Sequence, residues 1–397
     1  MNIAQMSPDR LPQPDAESRA RSERLVDHIR SEMETCSGHL GFARYMDLVL
    51  NAPGLGYYRA SDGQFGLEGD FVTAPDLSPL FARCVASQTG QILEHLGGGD
   101  VFEAGAGSGT LCAGLLNALD DLDRGPSRYL ILEPSAALRQ RQRESIERKA
   151  PRHISRVDWV DDLPAEGFVG VILCNELLDA IPAPRFRKNG NQVLEAFVCE
   201  RDGGFDWCYG APEYEGMIEA VTRIEAELGE PFTEGYTSEL GSAREAWLST
   251  AAQRLHRGAV LLLDYGHTLS EYYHPQRRDG TLACYYRHRV HADPFLWPGL
   301  QDISVHVEFS GLCRAAKAAG LEVAGFTTQA EFLIASGLLD ACRELDPGSL
   351  EFVRFANQIK RLTLPGEMGQ LVKVLALSRG VDCPLAGFSG RDYCGRL

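Results

Sequence analysis

The stretch Val101-Phe102-Glu103-Ala104-Gly105-Ala106-Gly107-Ser108-Gly109-Thr110-Leu111 constrains the fold more than any other part of the chain. An apolar run that enters three alternating glycines and leaves into helix-forming residues reads as strand, tight turn, helix. Glycines at such a turn let the backbone approach a ligand at the C-terminal edge of a parallel sheet. Short apolar runs recur downstream, at 129–132, 154–160, 168–174 and 259–263, and the helical stretch 135–149 lies among them. Strand and helix in alternation predict an open α/β sheet covered on both faces. A helix over 310–319 closed by Gly320, then apolar runs at 321–326 and 371–377, predict a last, partly antiparallel pair of strands.

Each predicted strand tip carries acids or amides. The glycine spacing departs from Gly-x-Gly-x-x-Gly, and Glu103 at the end of the first strand suits a cationic amino-acid ligand better than a pyrophosphate. Glu133 ends the second strand, where a doubly wound fold hydrogen-bonds a ribose diol; that predicts a nucleoside without specifying which. Asp161, Asp162 and Leu163 follow the third strand, where a ligand contact and a plain turn or cap are equally open. Asn175, Glu176 and Asp179 follow the fourth, where a helix cap competes with a functional role. Asp264 and Tyr265 follow the fifth.

With 39 Lys and Arg against 55 Asp and Glu in 397 residues, the formal charge of −16 argues against a general nucleic-acid binder. No apolar run approaches the roughly 18 to 20 residues of a membrane span, so no membrane insertion is expected. Eleven scattered cysteines without a Cys-x-x-Cys predict reduced thiols, and no metal site is expected. Residues 1–13 lack a basic region followed by an apolar one, which predicts a cytoplasmic protein. The expected organisation is a disordered tail (1–17), an N-terminal segment that caps the cofactor and substrate (18–99), an α/β domain (100–378) and a C-terminal tail (379–397). Insertions are expected at 183–238, with a hairpin around Asp202-Gly203-Gly204, and at 265–309, an aromatic stretch without a dominant period. The Arg-rich run 139–156 reads as a solvated helix face.

The motif acid-x-Gly-x-Gly-x-Gly resembles the first motif of class I S-adenosylmethionine-dependent methyltransferases, and several longer strings narrow the resemblance to the MidA-like methyltransferases. These include Gly41 to Met46, Ala52 to Tyr58, Gly69 to Phe81, Asn175 to Ala180, Asp264 to His267, Gly280 to Arg289 and His306 to Phe309. Ala106, where the family usually has proline, and Glu308, where aspartate is common, depart from the pattern. The resemblance implies a Rossmann-like α/β fold, S-adenosyl-L-methionine as cofactor, and cofactor contacts from Thr73, Pro75, Glu103, Gly105, Gly107, Gly109, Glu133, Asp161, Asp162, Leu163 and Asn175. It implies catalysis by Asn175, Glu176, Asp179 and Asp264, with acids orienting a guanidinium through paired hydrogen bonds. Tyr265, Tyr285, Arg287 and His288 are the expected substrate contacts, with residues 265–309 as a lid. The implied reaction is methylation of a protein arginine, with a respiratory complex I subunit or another protein as the partner. A non-catalytic assembly module that keeps the cofactor fold and a small-molecule methyltransferase are the alternatives.

Overall fold

The computed structural model describes residues 11–60, 73–340, 343 and 346–397. The chain forms two compact units, each assembled from three separate stretches. One comprises Val72–Leu178, Glu245–Gly266 and Phe309–Leu397; the other comprises Met1–Phe71, Asp179–Arg244 and His267–Glu308.

The first unit is built on β1 (Asp100–Ala104), β2 (Tyr129–Leu132), β3 (Val157–Val160), β4 (Phe168–Asn175), β5 (Leu255–His267), β6 (Glu322–Thr328) and β7 (Val372–Arg379). Their order is β6-β7-β5-β4-β1-β2-β3. The five strands from β5 to β3 run parallel, while β7 is antiparallel to both β5 and β6. Strands covered on both faces must be apolar throughout, and Ala259 to Leu263 of β5 accordingly have no exposed surface. Strand order reverses direction between β1 and β4, which opens the crevice where sheets of this kind take ligands.

Three helices matter for that crevice: α1 (Pro79–Leu96), α2 (Thr110–Asp121) and α3 (Ala136–Lys149). Ser78 Oγ accepts from Leu80 N at 3.2 Å and Pro79 fills the first turn, as the sequence predicts. The burial of α1 corrects the expected division, however. Leu80, Phe81, Val85 and Ile92 are buried in the same core as the sheet, so this helix belongs to the α/β unit and not to an N-terminal cap. Nor is 379–397 a tail, because Leu385 and Phe388 are buried in that core too.

The second unit has helices Ala16–Thr35 and Phe42–Asn51, and a five-stranded antiparallel sheet. The predicted hairpin joins Gln192–Arg201 to Gly204–Gly210, with Arg201 opposite Gly204 and left-handed backbone at Asp202 and Gly203. Residues 265–309 are more regular than their sequence predicts. Ala283–Tyr286, Arg289–His291 and Asp302–Ser304 form a three-stranded sheet, whose short strands are too brief to leave a period. Cys284, Ile303 and Val305 pack with Leu25, Ile29, Tyr45 and Met46, and Tyr45 OH donates to Pro294 O at 2.9 Å. Residues 1–10 of the expected tail, and Gly69 to Val72 of the family strings, lie outside the described residues. The rest of the tail is ordered: Leu11 is buried with Tyr286 and Leu300, and Asp15 caps the first helix.

Candidate functional site

The turn after β1 adopts positive φ at Gly105 (72°), Gly107 (51°) and Gly109 (74°). A Cβ on Gly105 would stand 2.7 Å from Leu177 Cδ1, and one on Gly109 would stand 3.1 Å from Gln142 Cα. The left-handed backbone strains any side chain at either position, and at Gly109 the backbone of α3 also leaves little room, so the glycines are required by the turn itself. On Gly107 a Cβ would meet nothing within 4 Å.

Glu133, at the tip of β2, is almost fully buried. One carboxylate oxygen accepts from Ser135 N at 2.9 Å and the other from Gln142 Nε2 at 3.1 Å. Gln142 is the residue that sequence reasoning missed. It has no exposed surface, donates also to Gly107 O at 3.2 Å, and accepts from Trp159 Nε1 at 2.9 Å. A polar residue four places after Leu138 on the buried side of α3 is the signal that could have found it.

The same helix corrects the reading of its arginines as merely solvated. The Arg139 guanidinium donates to Glu133 O and Val160 O and pairs with Asp161, joining the ends of β2 and β3, while Arg143 lies 4.4 Å over the Trp159 ring. Asp161 is thus an exposed partner of Arg139. Asp162 Oδ1 accepts from Leu163 N at 2.7 Å, which is the turn role that competed with a ligand contact.

Glu103 departs from its expected setting. Its side chain is 2% exposed and accepts from Tyr129 OH at 2.7 Å. Burial pushes its carboxyl up to about 7, against the opposing pull of the Tyr129 hydrogen bond.

The segment after residue 72 is tied to two strand tips. Asp76 Oδ1 accepts from Ser108 Oγ at 3.0 Å and Oδ2 from Thr73 Oγ1 at 3.1 Å, and Pro75 is buried between them in sequence. Ser108 Oγ also shares a hydrogen bond with Thr110 Oγ1 at 2.8 Å, which Lys149 Nζ reaches at 2.8 Å. At the tip of β4, Glu176 Oε1 accepts from Ala74 N at 3.2 Å and from Asn175 Nδ2 at 3.3 Å. Glu176 has φ of 50°, an uncommon backbone for a residue with a side chain and one that concentrates at functional sites.

Asp264, 1% exposed, holds this turn. Its Oδ2 accepts from Leu177 N (3.2 Å) and Leu178 N (2.7 Å), and Oδ1 accepts from Tyr265 N (2.8 Å). The expectation that Asp264 orients a substrate is therefore corrected: a buried carboxylate engaged with three backbone N–H groups positions the loop.

Asp179, Tyr285, Arg287 and His288 belong to the second unit. Burial pushes the Asp179 carboxyl up, opposed by the Arg244 charge and a Ser304 hydrogen bond. Tyr285 is half-buried in its strand, and Arg287 and His288 are the exposed two-residue turn of the Ala283–Tyr286 and Arg289–His291 hairpin, both at positive φ. Among the described residues no group of His, Cys, Asp or Glu is arranged to hold a metal ion, and no helix is long and apolar enough to cross a membrane.

Residues 84–327 match the model of a family described as S-adenosyl-L-methionine-dependent methyltransferases. The chain belongs to this family. A Burkholderia thailandensis protein crystallised with bound S-adenosyl-homocysteine is 41% identical, with a TM-score of 0.92 over 98% of this chain and 100% of that one. Among curated proteins, the mitochondrial protein arginine methyltransferase NDUFAF7 homolog of Caenorhabditis elegans is 29% identical over 89% of this chain and 85% of its own length. Human mitochondrial protein arginine methyltransferase NDUFAF7 is 27% identical over 74% and 69%.

The enzyme is thus an S-adenosyl-L-methionine-dependent methyltransferase, and its residues fit that cofactor. Left-handed backbone at Gly105 and Gly109 shapes a turn that side chains would strain, and the buried Glu133 carboxylate is fixed by Ser135 N and Gln142 Nε2 at the tip of the neighbouring strand. The cytoplasmic expectation is withdrawn, because the curated relatives carry mitochondrial names.

Proposed function

We propose that the enzyme methylates a guanidinium nitrogen of arginine in a protein partner, with a subunit of respiratory complex I as the first candidate. The observation that carries this reading is the Asn175-Glu176 turn. A carboxylate stands at the tip of β4 on a left-handed backbone, held by Ala74 N and Asn175 Nδ2. The names of the curated relatives support the acceptor class, and the resemblance noted in the sequence supports the complex I partner.

The bound cofactor supplies an electrophilic sulfonium methyl. Glu176 and Asn175 orient the guanidinium so that a nitrogen meets that methyl in line; the N–C bond forms as the C–S bond breaks, S-adenosyl-homocysteine leaves, and the methylated nitrogen gives up one proton to the Glu176 carboxylate, while alignment with exclusion of water supplies most of the rate. Asp264 acts through the loop by fixing Leu177 and Leu178. The cofactor rests on the Gly105, Gly107 and Gly109 turn and on Glu133, with Thr73, Pro75, Asp161, Asp162 and Leu163 at its margins. Tyr265 is the candidate substrate contact on the first unit, and Tyr285, Arg287, His288 and the acid Asp179 are the candidates on the second.

Incubation with methyl-labelled cofactor and lysate from a strain lacking the protein tests this. Label should enter a protein band and be recovered as methylarginine after hydrolysis; label in a small molecule, or in another amino acid, overturns the acceptor. Glu176→Gln, which keeps the size and removes the charge, should lower transfer by roughly ten- to a hundredfold, the worth of a charge-assisted hydrogen bond. Its affinity for S-adenosyl-homocysteine should stay within about threefold on that scale.

A further inference from the structure

The cofactor of this family carries an α-ammonium group, and a buried carboxyl beside Tyr129 is poorly placed to meet it. The first motif puts Glu103 forward by spacing alone, yet that side chain is 2% exposed and already accepts from Tyr129 OH. A second carboxylate stands at the same glycine turn. Asp76 is half-buried and joined to Ser108 between Gly107 and Gly109.

Its place follows from the two ties of its segment. Ser108 fixes the segment at the end of β1, and Glu176 fixes it through Ala74 N at the end of β4. Asp76 therefore stands over the crevice where strand order reverses. Glu133 marks the opposite direction, toward β2, for the ribose. A ligand with its diol on Glu133 and its middle on the glycines directs its other end toward β4, where Asp76 is.

The bonding of Asp76 leaves it able to act. Each oxygen accepts one hydroxyl, from Ser108 and from Thr73, and a carboxylate has about four acceptor sites. The cation on this side, Lys149, is linked to Asp76 through the Thr110 and Ser108 hydroxyls and not by a direct ion pair.

We propose that Asp76, and not Glu103 of the glycine motif, is the carboxylate that receives the α-ammonium of S-adenosylmethionine. The hydroxyls of Thr73 and Ser108 set its orientation, so that this end of the cofactor is read by a segment outside the glycine motif. A ligand lacking the amino group then loses this contact.

Calorimetry with two ligands separates this role from a structural latch: S-adenosyl-homocysteine and its deamino analogue, identical except that hydrogen replaces the amino group. The wild type should prefer the amino ligand by roughly ten- to a hundredfold, the usual span for a charge-assisted hydrogen bond. Asp76→Asn keeps one acceptor oxygen, replaces the other with an Nδ2 that donates to a hydroxyl oxygen instead, and removes the charge. It should cut that preference to within about threefold and leave affinity for the deamino analogue nearly unchanged. Glu103→Gln should keep the wild-type preference. Should the asparagine variant lose its cooperative thermal transition, Asp76→Ser is read in the same way. Full preference for the amino ligand in the folded Asp76 variant, or loss of the preference in Glu103→Gln, overturns the assignment.

Discussion

Glu103 links its position to a stability profile. An acid whose folded pKa lies above its ordinary value of 4.5, here at about 7, keeps its proton in the folded state where the unfolded chain has released it. Folded-state stability therefore declines as pH rises from 4.5 through about 7, and the loss is complete above that window. Glu103→Gln keeps an acceptor for Tyr129 OH and carries no charge, so it should raise the melting temperature more at pH 8 than at pH 5. A shift of this size corresponds to roughly 3 kcal/mol at most. Equal shifts at the two pH values, in thermal melts, would remove the buried-carboxyl account. At this scale sequence reading did well for glycines and less well for acids. Glycines report backbone geometry, which is local, whereas the surroundings of Glu103, Asp161 and Asp264 come from residues far along the chain: Tyr129, Arg139 and the turn at Leu177.

Elements were legible in proportion to their local signals. The helix capped by Ser78 and the hairpin turned at Asp202-Gly203 each carry their cause within a few residues. The three-stranded sheet inside 265–309 does not, because its strands of three or four residues are shorter than any window in which alternation can be counted. Its Arg287-His288 turn is exposed, with Arg287 lying 5.3 Å over the Tyr286 ring. If this turn contacts substrate, Arg287→Ala should lower methyl transfer to protein by roughly five- to tenfold, the loss of about 1 kcal/mol of a polar contact, while S-adenosyl-homocysteine affinity is kept. Unchanged transfer in single-turnover assays would leave the hairpin as scaffold.

At the scale of the molecule, the second unit depends on parts distant in sequence. Leu25, Ile29, Tyr45 and Met46 are fully buried with Cys284, Ile303 and Val305. Each large apolar side chain contributes about 1.5–3 kcal/mol on burial, against a total stability of roughly 5–15 kcal/mol for a domain. Deleting residues 1–52 should therefore expose the 283–305 sheet to proteases in limited proteolysis, while the wild type resists; equal resistance would mean that the sheet holds without the helices. The sequence by itself determined the parallel α/β sheet, the glycine turn and the family, because these rest on periodicity, short spacings and strings of identical residues. Tertiary structure decided the membership of the two units, the burial of Glu103, the bracing role of Asp264, and the meeting of Asp76 with the glycine turn. Those depend on contacts between segments tens to hundreds of residues apart, and no local pattern encodes which distant side chain fills a given space.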